Sequence, residues 1–329
     1  MIGLQRRFGL KDQQSENGAF SLAHFLIAGT MAWDRPLFLN RPLSPGGRAQ
    51  AIGQLGDALT LPEGRLGGGG ANAAAALINA GHQATVASAV TIGSVGDQIL
   101  GAANETGINT SFVQRTDFGE RATLVLVDPN GERFILGMQD SSDRTKTKLP
   151  AVLKAFEDAL AAAQAKSSYD GLFLRTGDAL NTERLQDFKG PVLTHGPIAR
   201  AMPTDYVVAS SDDLKAAGHQ TGGAFDEIAR LVGARLKAVI VTAGEQGGAA
   251  YTSDSEISYQ TPKVQQVDST GAGDCFAAGF LEATVSGANL RDALKHGAHW
   301  GAETASRRGS ALRSEETIYP AYQTQIDRG

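Results

Sequence analysis

The chain has 329 residues, of which 42% are hydrophobic and 20% are charged, with a formal net charge of −5. The hydrophobic fraction is ample for a sizeable core. The acidic balance gives no electrostatic attraction to nucleic acid, so no nucleic-acid partner is expected. The single cysteine, Cys275, excludes an internal disulfide framework and fits a reducing, cytoplasmic location. No apolar run approaches the ~20 residues of a membrane span, so no membrane partner is expected either.

Residues 1–23 are predicted to be a polar N-terminal extension, because they lack the continuous apolar core of a secretory signal. Beyond them, short apolar runs predict buried strands at 24–28, 85–91, 169–175, 191–194, 205–209, 238–242 and 263–267. Helices that separate most of these strands are predicted from the glycines at 67–70 to residue 80, and at 95–104, 151–166, 181–188, 223–234 and 275–284. This alternation predicts one α/β domain over 24–329, with a mostly parallel sheet covered by helices on both faces.

Two segments interrupt the alternation of strands and helices. Residues 34–61 are rich in proline and glycine. Residues 121–136 indicate a β-hairpin whose turn is Asp128-Pro129-Asn130-Gly131. Both segments suit a small β lid over a binding site, with lid segments at about 34–61 and 112–137. Ordinary peripheral strands are the alternative interpretation.

The most informative motif is Asp268-Ser269-Thr270-Gly271-Ala272-Gly273-Asp274. A predicted strand leads into it and a predicted helix leaves it. The backbone N–H groups of Gly-Ala-Gly would therefore point outward at a helix N-terminus, where a phosphate or a developing anion is stabilised. Asp274 would lie in the first turn of the helix, beside this anion hole. The pair suits phosphoryl transfer, because the dipoles stabilise transferred charge while the carboxylate accepts a hydroxyl proton.

A purely structural role for Asp274 is also open at this point. An aspartate in the first turn of a helix is often only a favourable partner of the helix dipole. Glycine-rich turns before helices are common as well, although Asp268 and Thr270 make this loop dense in oxygen ligands.

A second glycine run, Gly67-Gly68-Gly69-Gly70, opens another predicted helix, for which Gly81 is the expected C-terminal stop. Four glycines allow the backbone to approach a ligand closely, and Asn72 in the first turn offers both a donor and an acceptor. The run also matches the loose dinucleotide pattern G-x-G-x-x-A. Residues 61–66 are not expected to form a buried strand, however, so the context of a Rossmann site fails.

Together these two motifs resemble those of the ribokinase-like, or PfkB, family of carbohydrate and nucleoside kinases. The resemblance spans about residues 24–312 and includes the order and separation of the motifs, in segments 67–74 and 267–280. A third similarity is Gly29-Thr30-Met31-Ala32-Trp33-Asp34, after the first predicted strand. The resemblance implies a three-layer α/β/α fold with a small β lid. It also implies an ATP-dependent kinase that phosphorylates a hydroxyl of a sugar or sugar-like small molecule.

Alternatives within the same fold stay open at this stage. One is a nucleoside kinase, and another is a non-catalytic relative that binds a sugar or nucleotide. The resemblance also leaves open a homodimer formed through the lid.

The resemblance assigns roles to individual residues on the substrate side. Asp274 would be the general base, with Gly271, Ala272 and Gly273 as the backbone anion hole. Asp34 would accept hydrogen bonds from substrate hydroxyls, joined by Gly68, Gly69 and Asn72. The family often carries Lys or Ser at the place of Gly69, so a side-chain contact would be missing there. An Asp in an ordinary turn or edge strand is the alternative for Asp34.

On the nucleotide side, the resemblance implies binding of ATP-Mg²⁺ by the loop after strand 238–242, which contains Thr242, Gly244 and Gly247. The family usually has an Asn-x-x-Glu element where this chain reads Ser210-Ser211-Asp212-Asp213. Asp213 can replace the carboxylate that organises Mg²⁺, whereas Ser210 cannot present an amide. Asp268 and Thr270, with segment 306–311, resemble the family's K⁺ site; capping and turn hydrogen bonds are the alternative.

Two further features are predicted to be structural. His296 and His299 lie three apart on a predicted helix with no other cysteine or histidine pair nearby, which favours a packed or surface role over a metal site. Cys275 at a helix N-terminus is interpreted as a small packed residue rather than a reactive thiol.

Overall fold

The computed structural model describes residues 22–42, 49–52, 63–117, 123–137, 144–164, 169–175, 183–196, 198, 202–219, 223–309, 319 and 321–322. Almost all of the predicted extension at 1–23 lies outside the described residues, so it stays a prediction. The described strands are β1 (His24–Ala28), β2 (Ala32–Leu39), β3 (Ala51–Ile52), β4 (Arg65–Gly67), β5 (Gln83–Thr91), β6 (Asn109–Thr116), β7 (Thr123–Val127), β8 (Arg133–Gly137), β9 (Gly171–Leu174), β10 (Val192–His195), β11 (Tyr206–Ser210), β12 (Ala238–Thr242), β13 (Gly248–Tyr251) and β14 (Glu256–Tyr259). The described helices are α1 (Gly69–Asn79), α2 (Ser94–Thr106), α3 (Arg144–Gln164), α4 (Glu183–Asp187), α5 (Ser211–Ala216), α6 (Ala224–Val232), α7 (Ala272–Val285) and α8 (Leu290–Ala305).

A nine-stranded sheet forms the middle layer, in the order β14-β13-β12-β11-β10-β9-β1-β5-β6. The strands from β12 to β6 run parallel to one another, and β13 and β14 add an antiparallel edge. The mostly parallel sheet predicted from the sequence is thereby confirmed. Because strands buried on both faces read as continuous apolar runs, His24–Ala28 was recognisable with its observed bounds.

Helices cover both faces of this sheet, as the side chains of β1 show. Phe25 and Ile27 of β1 pack into a core with residues of α1, α7 and α8. Leu26 and Ala28 point the other way, into a core with residues of α3 and α6. Successive strand side chains face opposite sides, so the single strand β1 contributes to both cores of a three-layer α/β/α arrangement.

A small second sheet has the order β3-β2-β7-β8, with β4 paired to β2. The predicted hairpin is present: β7 and β8 run antiparallel, and the Gly131 amide donates to the Asp128 carbonyl at 2.9 Å in the turn. The hairpin turn also contacts the Asp268–Asp274 loop, because the Ser269 amide donates to the Gly131 carbonyl at 3.0 Å. Residues 43–48, 53–62 and 118–122 of the predicted lid segments lie outside the described residues.

Two predictions about local structure are wrong. Residues 263–267 form no strand; their side chains are exposed or half-buried. The Val267 amide donates instead to the Ala305 carbonyl at the end of α8, at 2.8 Å. Segment 61–66 was not expected to form a buried strand, but residues 65–67 form β4, in which Leu66 and Gly67 are buried. Because β4 pairs antiparallel with β2 and not with the central parallel sheet, the Rossmann interpretation still fails.

In the part of the chain that the structure describes, none of the helices combines the length and apolar character needed to span a bilayer.

Candidate active site

The candidate site lies at the carboxyl edge of the parallel strands. Arg175 directly follows β9, His195 ends β10, Ser210 ends β11 and Thr242 ends β12. Carboxyl ends of neighbouring parallel strands meet at one edge of a sheet, where α/β proteins bind their ligands. The strand order therefore brings together polar residues that lie far apart in the sequence.

Helix α7 directs its N-terminus at this edge. Its N-cap, Gly271, has φ 77°, a left-handed conformation that glycine adopts at low cost. The Ala272 amide donates to the Ser269 carbonyl at 3.3 Å, whereas no described residue accepts a hydrogen bond from the Gly271 or Gly273 amide. Those two amides are available to an anion at the positive end of the helix dipole. Asp274, in the first turn, is buried.

Three side chains from other elements surround the Asp274 carboxylate. The Arg175 Nε donates to Oδ1 at 2.8 Å, and the Asn72 Nδ2 donates to Oδ2 at 3.0 Å. His195 places its Nδ1 3.2 Å from Oδ1. These contacts join α1, β10 and the end of β9 to α7, so the orientation of the carboxylate is fixed from three directions.

The same contacts control the ionisation of Asp274. Burial by itself would raise the pKa of Asp274, but His195 and the Arg175 guanidinium outweigh it and hold the pKa well below its usual range. Burial lowers the pKa of His195, and the charge of Arg175 lowers it further. Asp274 is therefore an ionised carboxylate beside a neutral imidazole at pH 7.

Arg175 and His195 were missed by the sequence analysis. A signal was available, because Arg175 ends one predicted apolar strand, at 169–175, and His195 directly follows another, at 191–194. Their positions relative to Asp274 depend on the strand order, which the sequence pattern does not specify.

The predicted substrate residues lie on the β1 side of Asp274. Asp34, in β2, is 6% exposed. Burial raises its pKa to about 6, opposed by the nearby charge of Arg65 and reinforced by the charges of Asp268 and Asp274. Asn72 is buried with its Oδ1 unpartnered among the described residues, so one acceptor is left for a ligand.

The two glycines predicted to bind substrate have different surroundings. Gly68 is the N-cap of α1 with φ 88°. Gly69 leaves space that another residue fills: a Cβ there would lie 2.7 Å from Arg175 Cγ and 2.9 Å from Asp274 Oδ1. The Arg175 side chain therefore occupies the space that a side chain at position 69 would need.

A pocket of about 510 Å³ lies on the other side of the α7 N-terminus. It is lined by the predicted Thr242, Gly244 and Gly247, and also by Ala272 and Gly273 of the anion hole. Tyr259 and Phe276, stacked with ring centroids 5.5 Å apart, form part of an apolar wall. Its size and its one apolar wall suit a heterocyclic base.

Ser210 has a structural role at the start of α5. Its Oγ accepts from the Asp213 amide at 3.0 Å and caps α5. The Asp213 side chain is exposed and close enough for its charge to act on His195.

The carboxylate of Asp268 is buried and accepts three hydrogen bonds from described protein donors. Arg65 Nη2 donates to Oδ2 at 3.0 Å, the Thr270 amide to Oδ1 at 3.0 Å and the Gly309 amide to Oδ2 at 3.2 Å. Among the described residues, the Thr270 Oγ1 is buried without a partner. Residues 310 and 311 of the predicted K⁺ segment lie outside the described residues.

The structural interpretations of His296 and Cys275 are supported. His296 Nε2 lies 2.9 Å from Glu282 Oε2, while His299 is exposed. Cys275 is fully buried, and burial raises the pKa of its thiol to about 11, so it is no reactive thiolate.

Comparison with known proteins gives a consistent result. The model of the pfkB family carbohydrate kinases matches residues 62–318. An ATP-dependent ribose-1-phosphate kinase from Halopiger xanaduensis is 27% identical over 312 residues, which cover 88% of this chain and 94% of the relative. The ribokinase of Thermotoga maritima has a similar structure, with TM-score 0.64 and 20% identity over 92% of this chain and 97% of that one. Phosphofructokinase-2 from Escherichia coli, solved with potassium, gives TM-score 0.65 and 17% identity over 91% and 98%.

The mostly parallel α/β/α sheet with a small second sheet is the ribokinase-like fold. The chain belongs to the pfkB family of carbohydrate kinases, which transfer a phosphoryl group to an alcohol group. The family resemblance inferred from the two glycine motifs is confirmed.

Proposed function

We propose that this kinase uses Asp274 to accept the proton of a sugar hydroxyl while the γ-phosphoryl group of ATP is transferred to the hydroxyl oxygen. The new O–P bond forms as the bond between Pγ and the β–γ bridging oxygen breaks, and ADP leaves. The observation that carries the proposal is the position of Asp274 in the first turn of α7, within hydrogen-bond distance of Asn72, whose Oδ1 has no partner among the described residues. A weak base serves here because the proton leaves late.

The substrate hydroxyls would be held by Asp34, Asn72 and the backbone at Gly68 and Gly69. Gly271 and Gly273 amides would stabilise the transferred phosphoryl group, with Ala272 contributing less because its amide already has an acceptor. Positioning and electrostatic stabilisation together supply most of the rate in such reactions.

ATP is proposed to bind with its base in the pocket beside Tyr259 and its phosphates directed past Thr242, Gly244 and Gly247 toward α7. No cluster of three or more metal-ligating side chains exists in the described ranges. Mg²⁺ is therefore proposed to be held mainly by the ATP phosphates, with the exposed Asp213 as its protein contact. Ser210 would support this metal contact indirectly, because its Oγ caps the start of α5, the helix that carries Asp213.

A K⁺ ion is proposed behind the anion hole, at the loop of Asp268 and Thr270. The unpartnered Thr270 Oγ1 supports an oxygen-ligated cation there. Arg65 already gives Asp268 a positive partner, so the ion would share this carboxylate with the guanidinium.

A homodimer through the lid is also part of the proposal, as is a cytoplasmic location. Strand β8 lies at an edge of the small sheet, and Phe134, Ile135 and Leu136 are 55%, 54% and 46% exposed. An apolar edge strand is suited to pairing with a second copy.

The test is Asp274→Asn assayed with ATP over a panel of pentoses, hexoses, sugar phosphates, sugar acids and nucleosides. We expect turnover with the preferred substrate to fall by ~10²–10⁴, the usual contribution of a general base. A loss within about tenfold would show that Asp274 is not the proton acceptor. Ligand-dependent stabilisation of the wild type without turnover on any member would instead favour a non-catalytic binder.

A further inference from the structure

Asp274 accepts a hydrogen bond from only one of the nitrogen atoms of the Arg175 guanidinium. Its Nε donates to Asp274, but no described residue accepts a hydrogen bond from either Nη group. The side chain is 37% exposed. A guanidinium offers five donors in a planar fork that matches the oxygens of a carboxylate or phosphate. Most of this fork therefore has no acceptor among the residues that the structure describes.

The surrounding backbone provides space for this side chain. A Cβ on Gly69 would lie 2.7 Å from Arg175 Cγ, and a Cβ on Gly29 would lie 3.1 Å from Arg175 Cβ. A Cβ on Gly196 would lie 3.8 Å from Arg175 Nη1. The guanidinium is thus confined between the end of β1, the start of α1 and the end of β10.

The strand order places Arg175 on the substrate side of the site. Strand β9 lies between β1 and β10. The chain leaving β1 leads to Asp34, and α1 carries Asn72. The nucleotide pocket is lined from β12, α7 and α8, and Arg175 lies outside it. An anion bound by Arg175 would therefore belong to the phosphoryl acceptor rather than to ATP.

From this geometry we infer that the substrate is an anionic sugar derivative, and that Arg175 leaves Asp274 to bind the oxyanion of that substrate. The shared chemistry is a phosphate or carboxylate group on a polyhydroxylated molecule. The inference rests on the proposed kinase function and makes Arg175 a substrate-binding, specificity-determining residue.

The exchange of partners also explains how the base becomes effective. Against burial, the contacts from His195 and Arg175 hold the pKa of Asp274 well below its usual range, which makes the carboxylate a weak proton acceptor. Moving the Arg175 charge onto a substrate anion removes one of these contacts and strengthens the base. A neutral sugar offers Arg175 no such acceptor, so it leaves the ion pair in place. Arg175 also offsets the repulsion that Asp34 and Asp274 would exert on an anion.

The test compares matched substrates on the wild type, Arg175→Gln and Arg175→Lys. Each set contains a neutral sugar, its phosphate ester and its sugar acid, so the two oxyanions are distinguished. We expect the wild type to prefer one anionic member by at least about tenfold in kcat/KM. Arg175→Gln also removes the contact to Asp274 and can change turnover of every substrate, so the two members are compared: the loss on the anionic member should exceed the change on the neutral sugar by about 10- to 100-fold, as expected for a charged hydrogen bond. Arg175→Lys should recover part of the loss. Arg291→Gln, an exposed arginine of α8, is the control.

Two kinetic outcomes would overturn the inference. One is a wild type that prefers the neutral sugar. The other is an equal loss on neutral and anionic members in Arg175→Gln, which would assign Arg175 to the transferred phosphoryl group or to Asp274 alone. Calorimetry of sugar binding in the absence of ATP tests the inference independently of turnover. If no sugar is phosphorylated, the kinase proposal fails, but tighter binding of anions by the wild type than by Arg175→Gln would still support the inference. Equal binding by both would reject it.

Discussion

Arg65 and Asp268 lie 203 positions apart in the sequence and form an ion pair with an N–O distance of 3.0 Å. Arg65 belongs to β4 of the small sheet, and Asp268 begins the loop that ends in Asp274. The pair therefore connects the small sheet to the loop before α7 through a buried carboxylate. A surface pair would contribute little, whereas removal of one partner from a buried pair leaves an uncompensated charge.

The Arg65–Asp268 ion pair is expected to influence how strongly K⁺ stimulates turnover. We expect K⁺ to stimulate turnover, Asp268→Asn to lose most of the stimulation, and the affinity for sugar to change little. Arg65→Gln should increase the stimulation, because K⁺ would then be the remaining positive charge at Asp268. The measurement is rate against K⁺ concentration with Na⁺ keeping ionic strength constant. A flat response of the wild type would leave Asp268 as a structural residue.

The ionised Asp34 carboxylate is predicted to lower the stability of the folded protein, although it contributes to binding of the sugar. Burial raises its pKa to about 6, above the unfolded value, so the folded protein binds the extra proton. Ionisation therefore costs stability as pH rises from about 4 to 6, and the full cost is present at higher pH. Asp34→Asn should stabilise the protein at pH 7.5 by about 1–3 kcal/mol and much less at pH 4. It should weaken sugar binding at the same time.

Urea unfolding of Asp34→Asn at the two pH values, with exposed Asp187→Asn as control, measures this effect. A stability change of equal size at both pH values would contradict the predicted ionisation of Asp34.

Glu282 is predicted to stabilise the packing of α7 against α8 and the C-terminal segment. The carboxylate is fully buried, 3.1 Å from His82 Nε2 and 2.9 Å from His296 Nε2. Burial raises its pKa, but hydrogen bonds from His296 and His82, with the Tyr322 amide, lower it to about 2. Because the folded pKa lies below the unfolded one, the stabilisation is complete above about pH 4.5 and is lost as pH falls toward 2.

Glu282→Gln should therefore destabilise the protein at pH 7 by about 1–3 kcal/mol, with a smaller effect at pH 3. Denaturant unfolding at both pH values measures the difference. An effect that does not change with pH would mean that packing, and not the charge, is what Glu282 contributes.

The exposed apolar side chains of β8 predict self-association. Ile135→Asp should shift the molecular mass in light-scattering chromatography from dimer to monomer, because a charge on an apolar edge opposes strand pairing. Leu22→Asp, at an equally exposed leucine outside the small sheet, should leave the mass unchanged. A monomeric wild type would reject the lid dimer.

The sequence by itself determined what depends on neighbouring residues. Apolar runs identified six strands of the central sheet, and Asp128-Pro129-Asn130-Gly131 identified the hairpin of the small sheet. The six strands are β1, β5, β9, β10, β11 and β12. The glycines before α1 and α7 identified two helix N-termini, since glycine permits the backbone conformations needed there. Asp274 could be placed in a first turn for the same local reason.

Tertiary structure alone decided which side chains meet. Arg175 and Asp274 are separated by 99 positions, and Asn72 and Asp274 by 202. Their contacts follow from the order of the strands, which local periodicity does not encode. Residues 263–267 show the converse, because their strand-like sequence finds no neighbouring strand and its Val267 amide bonds to α8 instead. A strand needs a partner to satisfy its backbone groups, and that partner is chosen by the whole fold.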